Sequence, residues 1–231
     1  MRFGILVFPG TWSDTDCYYQ VKNILGQDAE YVWHHETSLD GFDSVILPGG
    51  FSYGDYLRPG AMARFSPVMG ALNEFVGSGR TVIGICNGFQ ILCESGLLPG
   101  ALLPNQDLEY RCQSTHLRAE RVDTPFTRLC TQGQLLDVPV SHGEGNYFAD
   151  VDTLSELEDE GQVLFRYCDS SGKPTDDANP NGSANNIAGI INQAGNVLGM
   201  MPHPERSCEA ILGSTDGNLI FESIIDNYRQ A

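Results

Sequence analysis

A cysteine at a predicted turn between a strand and a helix restricts the possible folds of this chain more than any other feature of the sequence. Residues 80–85 form a short apolar run typical of a buried strand, and residues 87–95 are predicted to form a helix that ends at Gly96. Cys86 lies between them in Gly-Ile-Cys-Asn-Gly, where small residues allow a turn tight enough to push the sulfur out of the sheet. The N-terminus of the helix favours a thiolate. The pattern is typical of a nucleophile elbow, although most free cysteines are only small buried hydrophobic residues.

The first half of the chain alternates short apolar strands with amphipathic helices. We predict strands at 2–8, 29–34, 44–47 and 80–85, and helices at 14–25, 66–77 and 87–95. Ser13 or Asp14 is expected to cap the first helix. Apolar strands of this kind are typical of a parallel sheet covered on both faces, which indicates a flavodoxin-like, doubly wound α/β fold.

After residue 100 the pattern changes to strands that we expect to add an antiparallel region. The predicted strands are 108–122, 135–141, 163–167, 187–192 and 197–201, with a hairpin connection at 192–196 and a last helix at 217–228. The polar segment 169–186 is predicted to be a loop. Because the chain shows no repeat, low-complexity tract or clear linker, we expect one domain over residues 1–231.

Composition excludes several classes of protein. The chain has 30 acidic against 13 basic residues and a formal charge of −17, which should repel nucleic acid and anionic membranes. No apolar stretch approaches the length of a membrane span, and the apolar N-terminus is too short for a secretion signal, so we expect a cytoplasmic protein. The 7 cysteines are odd in number and include no Cys-x-x-Cys pair, which argues against a disulfide framework and a zinc site.

A base for the cysteine is predicted in the segment that follows the strand at 197–201. His203 precedes a proline and should therefore be extended, so that Glu205, two residues on, can share its side. The Glu205 carboxylate could then hold the imidazole while the imidazole accepts the proton of Cys86. Carboxyl ends of parallel strands are where α/β folds place ligands, and both segments lie at such an end.

An oxyanion hole is predicted from a second strand end. Gly49 and Gly50 follow the strand at 44–47, where two glycines allow the backbone to turn its N–H groups into a pocket. Together with the N–H of Asn87, they could hold the negative oxygen of a tetrahedral intermediate.

These segments resemble a known family. Gly-Ile-Cys-Asn-Gly-Phe-Gln at 84–90 with His-Pro-Glu at 203–205 resembles the class I (triad) glutamine amidotransferases. The chain is more closely similar to the glutaminase subunits of phosphoribosylformylglycinamidine synthase, through the segments 50–58, 86–90, 142–147, 179–183 and 186–190. One departure is Thr-Trp-Ser-Asp at 11–14, where that family usually has Ser-Asn-Cys-Asp. The resemblance implies the class I glutamine amidotransferase fold.

The resemblance also implies a reaction and its residues. Cys86 would attack the glutamine amide and form a glutamyl thioester, His203 would transfer protons, and Glu205 would orient and stabilise the imidazolium. The substrate contacts carried over from the family are Gln90 of the elbow helix and the segment Ser141, His142, Gly143 and Glu144.

Partners and cofactors follow from the same resemblance. Glutamine would be the substrate, and a large ATP-dependent synthetase subunit would use the ammonia to convert formylglycinamide ribonucleotide to formylglycinamidine ribonucleotide in purine biosynthesis. A small third subunit would bridge the two. ATP and Mg²⁺ would be used by the synthetase, and we expect no cofactor in this chain, whose single Gly-Lys pair at 172–173 lacks the glycine of a phosphate loop.

Three alternatives remain open at this point. The chain could be an amidotransferase subunit of another pathway, although the motifs specific to the one subunit argue against it. It could be a flavodoxin-like cysteine hydrolase or stress protein, which usually gives the cysteine a different charge partner. It could also be a binding module that retains only the fold, which the complete Cys-His-Glu set disfavours.

Overall fold

One large sheet organises the chain in the computed structural model, which describes residues 1–230. The strands within those residues are β1 (Arg2–Val7), β2 (Asp28–Trp33), β3 (Ser44–Leu47), β4 (Thr81–Ile85), β5 (Ala101–Leu103), β6 (Arg111–Ala119), β7 (Leu135–His142), β8 (Asn146–Phe148), β9 (Val163–Cys168), β10 (Ile187–Ile191) and β11 (Val197–Met200). Nine of them form the large sheet in the order β2-β1-β3-β4-β11-β10-β9-β6-β7, and β5 pairs with β8.

The half of the sheet that begins at β2 is parallel. β1 pairs in parallel with β2 and β3, and β4 pairs in parallel with β3 and β11. All residues of β3, β4 and β11 are buried, as expected for strands covered on both faces. The predicted doubly wound α/β fold is confirmed.

The antiparallel region continues the same sheet. β10 pairs antiparallel with β11 through the hairpin predicted at 192–196, and β9, β6 and β7 follow as antiparallel neighbours. In β7 buried and half-buried residues alternate, which is typical of a strand with one face on the core. The chain therefore extends its parallel sheet sideways rather than placing a second layer on it.

The helices are α1 (Asp14–Tyr19), α2 (Val68–Gly77), α3 (Asn87–Glu94), α4 (Val151–Asp159) and α5 (Asn218–Gln230). α1 continues as a π-helical turn over Gln20–Ile24, so the predicted first helix spans both. Ser13 occupies the predicted N-cap position of α1, but its side chain makes no capping bond to the helix and its Oγ accepts from Arg206 instead. α4 was not predicted; the Asp150 side chain caps it by accepting from the N–H of Thr153.

Three strand ends meet at one edge of the sheet. β4 lies between β3 and β11, and the carboxyl ends of these strands lead directly into Gly49, Cys86 and the segment of His203. α3 packs against all three strands. This edge is the place where open α/β sheets bind ligands. None of the helices within residues 1–230 has both the length and the apolar character that a membrane crossing requires.

Candidate active site

Cys86 occupies the strained backbone of a nucleophile elbow. Its φ of 51° and ψ of −106° are unusual for a residue with a side chain, and its N–H donates to the carbonyl of Met200 at 2.8 Å. The flanking glycines are required by close packing. A Cβ on Gly88 would lie 1.9 Å from the carbonyl oxygen of Leu47, and one on Gly84 would lie 2.7 Å from the carbonyl oxygen of Gly88. The predicted turn is confirmed, and α3 begins directly after the sulfur-bearing residue.

His203 and Glu205 form a buried pair. The extended backbone of His203 and the short helical turn that begins at Pro204 bring the Glu205 Oε1 to 2.6 Å from His203 Nδ1. Both residues are only 2% exposed. Burial would lower the pKa of His203, but the carboxylate of Glu205 and the sulfur of Cys86 outweigh it and raise the pKa to about 10. The imidazole is thus held as a cation by its two neighbours.

The histidine and the cysteine flank Gly49. A Cβ on Gly49 would lie 2.7 Å from His203 Cε1 and 3.3 Å from Cys86 Cβ, so the space between the two side chains exists because residue 49 has none. His203 Nε2 is buried and has no hydrogen-bond partner within residues 1–230. It is therefore the nitrogen available to the sulfur, while Nδ1 is held by Glu205. The predicted triad residues are brought together.

The backbone pairing around Gly50 leaves its N–H unused. Thr11 and Gly50 form an isolated antiparallel bridge. Its hydrogen bonds run from the N–H of Trp12 to the carbonyl of Gly49 and from the N–H of Phe51 to the carbonyl of Gly10. The bridge therefore does not use the N–H of Gly50. Asn87 is the first residue of α3, where N–H groups lack an acceptor within the helix. Together with Gly49, these residues stay the predicted donors to a negative oxygen.

Two cavities meet at Cys86. We name the larger one the Arg206 cavity; it measures about 250 Å³ and is lined by Trp12, Ser13, Gly50, Phe51, Cys86, Tyr110, Ser141, His203 and Arg206. The other, the Gln90 cavity, measures about 130 Å³ and is lined by Gly50, Phe51, Asp55, Pro59, Cys86, Gln90, Tyr110, Ser141, His142, Gly143 and Glu144. Every predicted substrate contact thus lines the Gln90 cavity. A larger cavity of about 510 Å³ lies elsewhere, around Asn181, and does not include Cys86.

The predicted contacts are also bonded to one another. Gln90 Nε2 donates to the carbonyl of Glu144 at 2.6 Å, and Gln90 Oε1 accepts from Asn87 Nδ2 at 2.9 Å. The carbonyl of Ser141 lies 3.7 Å from Cys86 Sγ. The elbow helix and the segment 141–144 therefore form one wall of the Gln90 cavity.

His142 is tied into the fold by its side chain. Its Nδ1 lies 3.1 Å from Asn105 Oδ1 and its Nε2 lies 3.4 Å from Asn181 Nδ2. Burial and the charge of His203 lower the pKa of His142 to about 4, so the ring is neutral. A substrate contact of His142 stays a prediction for its backbone, because both ring nitrogens already have partners.

Residues without a predicted role complete the site. Asp55 and Tyr110 line the Gln90 cavity, and the Tyr110 hydroxyl lies 2.9 Å from Ser141 Oγ. Asp55 belongs to the segment 50–58 that carries the family resemblance, and that segment was the signal for it. Asn181 belongs to the segment 179–183, which carries the same resemblance, whereas Tyr110 and Asn105 had no such signal because their positions depend on contacts between distant segments.

Comparisons with known proteins identify the family of this chain. A family model described as a CobB/CobQ-like glutamine amidotransferase domain matches residues 1–218. Curated relatives named phosphoribosylformylglycinamidine synthase subunit PurQ are 57% identical in Moorella thermoacetica and 55% identical in Salinibacter ruber, each over 98% of this chain and 96% of the relative. The chain belongs to the PurQ family of glutamine amidotransferases. The resemblance drawn from the motifs is confirmed.

Solved structures show the same fold. A chain in the structure of PurLQS from Thermotoga maritima is 39% identical and superposes with a TM-score of 0.87 over 98% of both chains. A glutamine amidotransferase structure from the same organism is 15% identical, with a TM-score of 0.56 over 99% of this chain and 92% of that chain. The second likeness shows the fold alone. The high identity to PurQ subunits favours this family over the other pathways and hydrolases left open by the sequence.

Proposed function

We propose that this chain hydrolyses the side-chain amide of glutamine through a thioester on Cys86. As a member of the PurQ family, it is the glutaminase component of phosphoribosylformylglycinamidine synthase in purine biosynthesis. One observation carries the assignment of residues. A cysteine in strained backbone shares a cavity with a histidine whose Nδ1 lies 2.6 Å from a buried carboxylate. Such a set can activate a nucleophile and transfer its proton.

In the first half-reaction the Cys86 sulfur attacks the amide carbon of glutamine. The carbonyl oxygen becomes negative, and in this proposal the backbone of Gly49, Gly50 and Asn87 stabilises it. The imidazolium of His203 then donates a proton to the amide nitrogen. The C–N bond breaks, ammonia leaves, and the glutamyl group stays bound to the sulfur.

In the second half-reaction water hydrolyses the thioester. His203, now neutral, accepts a proton from water as its oxygen attacks the thioester carbon. The C–S bond breaks, glutamate leaves, and the Cys86 thiolate and the His203 cation are restored. Glu205 stabilises the charged imidazole in both steps through its short contact to Nδ1. The side chains of Cys86, His203 and Glu205 carry the charges that arise in both half-reactions. The proposal therefore requires no metal or cofactor bound to this chain.

The Gln90 cavity is the proposed place of the amino-acid part of glutamine. It contains Gln90 and the segment 141–144, which the family resemblance assigns to that role, and it opens onto Cys86. The Arg206 cavity lies on the other side of the same sulfur and contains His203, the proton carrier. We assign this second cavity to the water that enters and to the ammonia that leaves.

The chain acts with the other subunits of its synthase. In our proposal a large synthetase subunit receives the ammonia and uses ATP and Mg²⁺, a small subunit bridges the two, and the complex works in the cytoplasm. Ammonia in solution at neutral pH would be mostly protonated and non-nucleophilic. We therefore expect the isolated chain to be a weak glutaminase and the assembled complex to be an efficient one.

The test compares two cysteine variants in the assembled complex. Cys86→Ala should reduce glutamine-driven product formation at least about 1,000-fold, because a triad nucleophile is lost, and should leave ammonia-driven formation unchanged. Cys112→Ala is the matched control, since Cys112 is an exposed free cysteine. A glutamine-analogue label should modify Cys86 and spare Cys112. Glutamine-driven activity that survives in Cys86→Ala would refute the proposed function.

A further inference from the structure

We infer that Asp55 binds the α-ammonium group of the substrate and makes the site specific for a free α-amino acid. Asp55 lines the Gln90 cavity together with Cys86, so one molecule in that cavity can reach both residues. The inference rests on the proposed function, because it assigns a further residue to the same glutamine site.

The Asp55 carboxyl has a buried oxygen without a partner. Oδ1 is shielded from solvent and makes no hydrogen bond within residues 1–230. Buried carboxylate oxygens are normally bonded to N–H groups or cations, so an unbonded one in a cavity indicates a ligand donor that the protein itself does not supply. An ammonium group has three such donors.

The charges around Asp55 favour a cation. Glu144 lines the same cavity, whereas arginine and lysine are absent from its lining among residues 1–230. Arg58, three residues after Asp55, is already paired with Glu94, at 2.5 and 2.7 Å. Burial and the neighbouring charge of Glu144 raise the pKa of Asp55 to about 6, and burial raises the pKa of Glu144 as well. A bound cation would stabilise the ionised form of both carboxyl groups.

The backbone holds Asp55 in place. The residues Tyr53, Asp55 and Leu57 all have positive φ, of 55°, 57° and 71°. Two hydrogen bonds hold the residues just before Asp55. The N–H of Ser52 donates to Asn87 Oδ1 at 3.1 Å, and the N–H of Tyr53 donates to the carbonyl of Pro9 at 2.6 Å. The strained loop is thus fastened to the elbow helix, which fixes the carboxyl relative to the nucleophile.

The geometry separates the two ends of the substrate. Its amide carbon lies at Cys86, and its ammonium group lies between Asp55 and Glu144. Gln90 is bonded to both Asn87 and Glu144 and so connects the two ends of the cavity. An amide without an α-ammonium group, such as 4-carbamoylbutanoate, would leave the carboxylates unpaired and should bind poorly.

The experiment measures glutamine kinetics of the assembled complex with Asp55→Asn, Asp55→Glu and the control Asp152→Asn, which changes an exposed residue of α4. Asp55→Asn should raise the KM for glutamine roughly 10- to 100-fold with kcat changed less than about 3-fold, because a charged hydrogen bond to the bound substrate is lost. Asp55→Glu should recover part of the affinity. The inhibition constant of 4-carbamoylbutanoate should change less than about 3-fold, and Asp152→Asn should resemble the wild type.

Three results would overturn the inference. An unchanged KM in Asp55→Asn would show that the carboxylate does not bind the substrate. An equal loss of affinity for glutamine and 4-carbamoylbutanoate, or no recovery in Asp55→Glu, would show a structural role only. Co-elution of each variant with the synthetase subunits reports its folding and assembly, and ammonia-driven activity reports an intact synthetase. If the wild type lacked glutamine-driven activity, or Cys86→Ala kept it, the proposed function itself would be wrong.

Discussion

Two buried histidines near Cys86 differ sharply in charge. His203 is 2% exposed and His142 is 3% exposed, so burial opposes a positive charge on both rings. Yet the pKa of His203 is raised to about 10, whereas the pKa of His142 is lowered to about 4. The difference lies in their partners. His203 contacts the Glu205 carboxylate, and His142 contacts the amides of Asn105 and Asn181.

Two histidines in the cavities on either side of one sulfur can therefore differ in charge, because their hydrogen-bond partners differ. A carboxylate compensates for the loss of hydration of a cation, and a neutral amide does not. The two rings also act on stability in opposite directions. The proton on His203 stabilises the folded chain fully below pH 6.5, and this contribution is lost as pH rises toward 10. For His142 the folded chain instead excludes a proton that the unfolded chain accepts.

The largest expected effect comes from giving His203 the type of partner that His142 has. Glu205→Gln keeps the size of the side chain but removes its charge, so the pKa of His203 should fall and the imidazolium should no longer be stabilised. We expect glutamine-driven activity of the complex to decrease roughly 10²- to 10⁴-fold. Ammonia-driven activity should be unchanged.

Glu222→Gln, the same change on the exposed face of α5, is the matched control for Glu205→Gln. A titration of labelled histidine side chains by NMR measures the pKa directly. If Glu205→Gln kept activity within about 3-fold of the wild type, the carboxylate would not be what distinguishes the two histidines.

The reverse change gives His142 a carboxylate partner of the kind that His203 has. Asn105 Nδ2 donates to the carbonyls of Glu109 and His142, at 2.8 and 2.9 Å, and its Oδ1 accepts from the N–H of Gly145. Asn105→Asp should raise the pKa of His142. It should also lower the free energy of unfolding by roughly 2–4 kcal/mol, because an acidic oxygen would then face two carbonyl oxygens.

Denaturant unfolding measures the stability change in Asn105→Asp. Asn73→Asp is its control, because Asn73 is an exposed residue of α2. If Asn105→Asp lost the expected stability but the pKa of His142 did not change, the partner of the ring would not set its charge. That result would contradict the explanation given for His142.

The smallest effect concerns acid stability. The folded-state pKa of His142, about 4, lies below the ordinary value of 6.5. Below pH 6.5 the unfolded chain therefore binds a proton that the folded chain does not, and the free energy of unfolding falls by about 1 kcal/mol at pH 5.5. Urea unfolding of the wild type and His142→Gln at pH 7 and pH 5.5 measures this contribution as the difference between their pH dependences. Identical dependences would show that His142 does not exclude the proton.

Much of the site could be predicted because its parts are local. The turn around Cys86 requires small residues next to each other, and the His203–Glu205 pair requires a proline between two residues that share a side. The partners of His142 could not be predicted in this way. Asn105 and Asn181 lie 37 and 39 positions away from it, and only the folded chain brings them together. The substrate contact of His142 came from the family resemblance, and it stays a prediction for the backbone of that residue.

Sequence alone was enough to predict the strand ends at the site, the family, and Cys86 and His203 as the proposed nucleophile and base. These depend on hydrophobic periodicity and on steric requirements within a few residues. Only the folded chain shows the neutral state of His142, the unbonded oxygen of Asp55 in the Gln90 cavity and the division of the space around Cys86 into two cavities. Electrostatic properties of buried groups depend on which distant segments desolvate and contact them, and no short stretch of sequence contains that information.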